Sequence, residues 1–302
     1  MDTAACDILR LPEELLAAIV SLTSPRDACR AAAVSFAFRA SMDSDAVWSR
    51  FLPGDLPRFV DTVERSLAAL PSSKARFLRL SDEPALLLGR LTMMWLDKVT
   101  GGKCYMLAAR ALNISWQDEP RYWNWIHVDV LHDTKTGKRI TSEAAQLRYV
   151  GWLEIRGKID SKMLSPNSTY AAYLVFKLSD RAYGLDFPFQ EVLLNVGGSV
   201  STRRACLHGY YDDGAGGVVP RNHVEDRTNW LGVYRAVVIE DDVVLPHIRA
   251  DGWMELQLAD GFYNHGGDND EVRIALTETK HLYPKAGLIV RSIDIRIKER
   301  DV

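Results

Sequence analysis

The chain has 302 residues, 47% hydrophobic and 25% charged, with a formal net charge of −3, the profile of a globular protein of one or two domains. The small negative balance excludes a nucleic-acid or anionic-membrane surface driven by charge alone, and no apolar run approaches the roughly 20 residues of a membrane span. Cys6, Cys29, Cys104 and Cys206 lie far apart with no C-x-x-C pair, which favours a reducing compartment with thiols as small core residues. Asp2, Asp7 and Arg10 interrupt any signal-like start, so the expected location is cytoplasmic, nuclear or both. The sequon Asn167-Ser168-Thr169 is then expected to stay unglycosylated.

Residues 1–52 read as a compact three-helix unit. Pro12 can start a helix, Glu13 and Glu14 suit the positive end of its dipole, and Leu15, Leu16, Ile19 and Leu22 fall on one broad face. Ser24-Pro25-Arg26-Asp27 is a second start signal: capping Ser, Pro at the first helical position, acid in the first turn. Ala28, Ala31, Val34, Ser35 and Phe38 continue it as a small-residue stripe. Asp43-Ser44-Asp45 opens a third helix carrying Val47, Trp48 and Phe51. A module of about 40 residues buries too little surface to stand alone, so its surplus apolar face suggests a docking handle.

The order Leu11-Pro12-Glu13-Glu14, Ile19, Leu22, Asp27-Ala28, Val34 to Phe38 and Trp48 resembles an F-box. Ser35-Phe36-Ala37-Phe38 departs from it, standing where many F-boxes carry a Cys and a Trp. The resemblance implies docking to the Skp adaptor of a cullin–RING ubiquitin ligase. The adaptor-binding residues it implies are Leu11, Pro12, Leu15, Ile19, Leu22, Asp27, Ala28, Val34, Phe38 and Trp48. The alternative is a helical hairpin packed on the chain's own β domain.

Residues 53–94 keep a helical pattern. Leu56, Phe59, Val60, Val63 and Leu67 fit one face, Pro71-Ser72-Ser73 breaks it, and Phe77, Leu78 and Leu80 restart it before Pro84. This segment reads as a helical connector without recognisable chemistry.

In residues 95–302 the period shifts towards two. Thr169 to Leu178 is apolar on both faces, as in a central strand. Met254, Leu256 and Leu258, then Val272, Ile274 and Leu276, then Ile293, Ile295 and Ile297 alternate with polar neighbours. Half-buried strands separated by Gly, Pro and Asp-Gly breaks predict an antiparallel sandwich. The patternless stretch Gly197 to Asn229 predicts a long insertion between strands. Trp116, Tyr122, Trp123 and Trp125 put four aromatics within ten residues, bent by Pro120. Extended backbone puts Trp123 and Trp125 on one face. Indole faces stack on the C–H faces of sugars and indole N–H can donate; the alternative is that these are core aromatics.

The blocks WLDK at Trp95, KCYMLAARALNISW at Lys103, YWNW at Tyr122, GWLEIRGKI at Gly151, SPNSTYAAYLVFKL at Ser165, RADGWMEL at Arg249 and GLIVRSIDIR at Gly287 follow in one order. Together they resemble a phloem protein 2 domain, the fold of the Nictaba-type plant lectins. That resemblance implies a jelly-roll-like β-sandwich binding N-acetylglucosamine-containing glycans, and with the F-box in front an α+β multidomain chain. The lectin's site tryptophans match Trp116 and Trp123 without gaps. Its acids match Asp268 and, with a one-residue insertion, Asp260, each one methylene shorter than the Glu of the lectin. A protein–protein module that kept the fold and lost the sugar is the alternative.

No H-E-x-x-H, G-x-S-x-G or P-loop occurs, and the seven histidines are scattered. Asp268-Asn269-Asp270-Glu271 could hold Ca²⁺ but fits a solvated turn better. The expectation is therefore a non-catalytic, cofactor-free receptor subunit of an SCF (Skp–cullin–F-box) ligase, with no nucleic-acid or membrane partner, that presents a glycoprotein or protein target.

Overall fold

The computed structural model describes residues 8, 11–132, 139–212, 218–220, 223–226, 235–239, 241–266 and 270–298. The chain divides into two compact units, Met1–Tyr105 and Met106–Val302.

The first unit is built from α1 (Glu13–Val20), α2 (Pro25–Ala32), α3 (Phe36–Asp43), α4 (Asp45–Phe51), α5 (Asp61–Ala68) and α6 (Ser73–Asp82), followed by the antiparallel pair β1 (Ala85–Leu86) and β2 (Thr92–Leu96). The three helices expected of the first fifty residues are four. Ser35 is extended at φ −158°, and its hydroxyl accepts the Phe38 N–H at 3.3 Å. This N-cap stops the Ala28–Phe38 stripe from forming one helix. Ala28 is buried, while Val34 lies exposed in the break.

Trp48 is the centre of this unit. It lies 5.7 Å from Phe51, edge-on, and 5.2 Å from Phe77 of α6, and its Nε1 donates to the Met42 carbonyl at 2.6 Å. Asp45 at the start of α4 also caps α6, accepting from the Ser73 N–H and hydroxyl at 2.5 and 3.0 Å. Phe77 and Leu80 are both buried. The segment after the four helices thus completes their core, which supplies the apolar burial that a module of this size lacks.

Strand β3 (Lys103–Ala108) contains the division between the units. The remaining strands are β4 (Asn113–Ile114), β5 (Trp123–His132), β6 (Arg139–Leu147), β7 (Leu153–Asp160), β8 (Ser168–Tyr183), β9 (Gln190–Val196), β10 (Ser199–Ala205), β11 (Tyr210–Asp212), β12 (Val218–Pro220), β13 (His223–Asp226), β14 (Arg235–Val238), β15 (Val243–Val244), β16 (His247–Ile248), β17 (Met254–Asn264), β18 (Glu271–Glu278) and β19 (Ala286–Ile297). One sheet runs β19-β8-β17-β16, with β6 pairing β19 and β5 pairing β6; the other runs β15-β10-β9-β18-β7-β4. The neighbours in both are antiparallel except for β10 and β15.

The sheets face each other as a sandwich. Leu153, Ile155, Val192, Ile274 and Leu276 from one meet Leu174, Phe176, Leu256, Ile293 and Ile295 from the other, all buried. The contact is tight at Gly157 of β7, where a Cβ would sit 3.0 Å from the Ile293 side chain. Burial at every second position is what the alternating sequence requires of strands with one face on a core.

The insertion expected from Gly197 is instead, at its start, a hairpin. Gly197 and Gly198 have φ of +55° and +90°, and β10 pairs β9 through seven residues from Ser199↔Val196. Two left-handed residues match the twist of a two-residue turn, so Gly-Gly here closes a strand pair.

Candidate functional site

On the helical unit, Leu15, Ile19, Leu22 and Val34 are exposed, joined by Phe36 at 88% exposure. Pro12 and Asp27 are exposed, Leu11 and Phe38 half-buried. Asp27 belongs to the α2 cap, accepting from the Ser24 hydroxyl at 2.8 Å. Two expected surface residues belong to the interior: Ala28 is fully buried and Trp48 is 2% exposed. Phe36 was missed because it fell in the segment that departs from the F-box pattern; as the first residue of α3, just after its cap, it points outward.

In the sandwich unit, the turn before β5 presents Trp116. It is 57% exposed and held at φ +66°, a left-handed conformation uncommon for a bulky residue and found where surrounding structure over-determines it. The surrounding structure is visible. Trp123 Nε1 donates to the Ser115 carbonyl at 3.0 Å and Trp125 Nε1 to the Gln117 carbonyl at 3.2 Å, gripping the residues on either side of Trp116. Trp125 is covered by the Arg110 guanidinium at 3.5 Å, which Glu143 anchors through two bonds of 2.8 and 2.9 Å. Hydrogen bonding to Glu143 raises the Arg110 pKa, and the same bond holds Glu143 below the usual carboxylate range.

Trp123 itself is 2% exposed and has no face to offer a sugar. The two tryptophans expected as a pair are therefore a platform and its prop. The acids also part company. Asp260 is ion-paired with Arg203 of β10 at 2.5 Å, and β10 stands four strands away from β4, which precedes Trp116; that is ~19 Å of sheet at ~4.8 Å per strand. Asp268 lies outside the described residues.

The carboxylate that does meet the Trp116 turn is Glu154. It accepts from the Ser115 hydroxyl at 2.6 Å, from Trp152 Nε1 at 3.4 Å and from Arg156 at 2.5 Å. Trp152 is a second half-exposed indole. Sequence reading passed over both because residues 151–159 entered it as one block of the family resemblance; the outward parity of Glu154 on β7 was the available signal.

Glu154 also lines a groove of about 680 Å³ on the outer face of the six-stranded sheet. Register arranges that face in rows. The middle row is Asn113, Arg156, Ala275, Leu193 and Thr202. Glu154, Thr277 and Glu191 flank it on one side, Lys158, Arg273 and Asn195 on the other. Arg273 first and Lys158 second hold Glu271 ionised below the usual range. Among the described residues no cluster of three His, Cys, Asp or Glu is suited to a metal ion.

Residues 102–297 match the family model of phloem protein 2, and residues 8–53 that of F-box-like modules. The F-box protein PP2-B10 of Arabidopsis thaliana is 36% identical over 288 residues, covering 94% of this chain and 92% of its own. The F-box protein PP2-B1 of the same plant is 35% identical over 312 residues, covering 95% and 88%. Among solved structures, a xylan-binding domain from CBM 22 shares 11% identity over 61% of this chain and 85% of its own, with a TM-score of 0.22, too low to bear on the site. With whole-length relatives and a family model spanning most of its sequence, this chain belongs to the phloem protein 2 family, in the form that carries an F-box at its front.

Proposed function

We propose that this protein is the substrate-receptor subunit of an SCF-type ubiquitin ligase. The observation that carries it is the apolar face of Leu15, Ile19, Leu22, Val34 and Phe36, left outside a helical unit whose own core is already filled by Trp48, Phe51 and Phe77. Such a face fits the Skp adaptor, and the chain then acts without chemistry of its own, raising the effective concentration of target lysines near the charged enzyme. The work would take place in the cytoplasm or nucleus. Pull-down of the full chain with a Skp adaptor tests it. Ile19→Glu with Phe36→Glu should abolish capture without unfolding the chain; undiminished capture by the folded variant refutes the surface.

For the target, we propose N-acetylglucosamine-containing glycans stacked on Trp116, with Glu154 and its partners bonding hydroxyls. A single sugar site of this kind binds at about millimolar to micromolar strength. A glycan array decides it: Trp116→Ala should silence the signals of folded wild type. The separation of Asp260 from Trp116 favours a second reading, a protein-recognition module on the same fold. That reading requires targets to be captured equally well after deglycosylation.

A further inference from the structure

The sheets of the sandwich end mostly in strands that discourage a partner. β4, β15 and β16 are two residues long, and very short edge strands are one guard against pairing with a foreign chain. Where their neighbours run on beyond them, other guards stand: Arg203 and Arg204 in β10, register shifts between Gln257 and Phe262 in β17, Lys158 in β7. β5 is the exception. It has ten residues and, among the described residues, pairs on one side only, with β6. It contains no Lys, Arg or Pro, and its one acid, Asp129, stands where the register with β6 slips.

Register fixes which backbone groups face outward. The Arg148 N–H donates to the Tyr122 carbonyl at 2.8 Å, so these two residues form a hydrogen-bonded pair. In an antiparallel ladder such pairs alternate with non-bonded ones. Asn124, Ile126 and Val128 therefore direct their backbone groups at β6, while Trp123, Trp125 and His127 direct theirs away from it. The Trp123 N–H is taken by the Glu119 carbonyl at 3.1 Å. The N–H groups of Trp125 and His127, and the carbonyls of Trp123, Trp125 and His127, are left facing outward. Their complement is the backbone of one extended segment. Ile126 and Val128 are half-buried on one face of the edge, which suits apolar or β-branched side chains at alternate positions of an added strand. The slip at Asp129 closes the run after about five residues, far short of the roughly 20–30 residues a side of a stable interface between folded chains. A peptide segment therefore fits this edge better than a second copy of the chain.

We propose that β5 is a docking edge for an extended segment of the protein target, added as a strand along residues 123–127 by main-chain bonding. The inference rests on the protein-recognition reading of this fold and gives that reading its contact. The segment it selects is a β-strand with apolar side chains at alternate positions.

Hydrogen exchange and fluorescence anisotropy of the full chain with a labelled, capped heptapeptide of alternating Thr and Val test it. In the free chain the amides of Trp125 and His127 should exchange fast and those of Ile126 and Val128 slowly; the peptide should slow the first two. His127→Pro removes an outward donor without touching the β6 ladder. It should weaken the peptide by about tenfold or more, because the peptide carbonyl opposite loses its donor. His127→Ala keeps the amide and should keep the binding. His127→Lys adds an edge guard and should also weaken binding, which keeps the test open if His127→Pro does not fold. Trp125 and His127 amides already protected in the free chain overturn the proposal. So does a heptapeptide that fails to bind at about millimolar concentration, since main-chain pairing does not depend on one sequence. Equal loss in His127→Ala and His127→Pro assigns the binding to the side chain and overturns the edge. A dimer in sedimentation that His127→Pro breaks gives the edge to a second copy and overturns the peptide. Deglycosylated target captured equally well by folded His127→Pro and by wild type overturns the edge and leaves the protein-recognition reading standing.

Discussion

Replacing Lys285 with Met should be among the most damaging single changes in the sandwich unit. Lys285 is fully buried, and its Nζ lies 2.5 Å from Glu278 Oε2 and donates to the carbonyls of Gly151 and Tyr283, each at 2.9 Å. One ammonium thus ties the loop before β7 to the loop before β19. Methionine matches the stem and removes the charge, leaving a carboxylate that is 4% exposed and two carbonyls without their donor. Breaking a buried pair from one side costs about 3–5 kcal/mol, or about 6–20 °C in a domain of this size at ~2–4 °C per kcal/mol. Lys285→Met with Glu278→Leu removes both charges and should recover much of the loss, since an apolar pair of similar volume is often neutral. Burial alone would push the Glu278 carboxyl up, but bonds from Lys285 and His281 hold it below its usual value. In wild type its stabilisation is therefore present above ~4.3 and lost as pH falls through the lower folded value. In Lys285→Met the dominant influence becomes burial, so the sign reverses and acidification should narrow the deficit. Urea titrations of both singles and the double at neutral and mildly acidic pH measure all of this. If the singles add to the double within about 0.5 kcal/mol, the pair is not coupled and the reasoning fails.

Trp48→Ala should cost about 3–5 kcal/mol in the helical unit, read from its thermal transition, because it empties the space between Phe51 and Phe77 and orphans the Met42 carbonyl. Trp123→Phe keeps most of the volume but removes the donor to Ser115, costing about 1–3 kcal/mol. It should also weaken glycan binding without touching the ligand, whereas Trp116→Ala removes binding with stability unchanged within ~0.5 kcal/mol; equal behaviour of the two by calorimetry and denaturation contradicts the platform-and-prop assignment. Gly287→Ala should destabilise by well over 1 kcal/mol, since φ is +83° and a Cβ would lie 2.5 Å from the Ala182 Cα; a neutral urea midpoint would refute it.

Much of the fold was legible because it depends on periodicity. Met254 to Leu258 and Ile293 to Ile297 alternate, and Leu256, Leu258, Ile293 and Ile295 are buried, while Met254 and Ile297 at the strand ends are half-buried. Alternation names two faces but not what the polar one meets. Glu255 and Asp294, on the polar parity, are nearly as buried as their apolar neighbours. Arg249 reaches Glu255 at 2.9 Å and Asp294 at 3.5 Å, and Arg296 also pairs with Glu255. Burial raises the Asp294 pKa in spite of these arginines. No local pattern marks a polar face covered by other polar groups. The helix break at Ser35 failed for a related reason: a Ser inside a small-residue stripe reads as part of a helix until its hydroxyl is seen taking the Phe38 N–H.

The candidate site was legible in its residue types and not in their division of labour. Trp116 and Trp123 lie seven positions apart, and both indoles suit a sugar equally well on chemistry alone. What separates them is a single backbone choice, φ +66° at Trp116, which turns that side chain out of the fold while Trp123 and Trp125 stay beneath to hold the turn. A bulky residue in that conformation costs about 1–3 kcal/mol, and three indole or carboxylate contacts to Ser115 and Gln117 offset it. The same carboxylate, Glu154, also lines the groove on the outer face of the six-stranded sheet. The aromatic turn before β5 and the charged rows on the outer sheet are therefore joined through the Ser115–Glu154 bond, a contact between segments about 40 residues apart that no local pattern in the sequence marks.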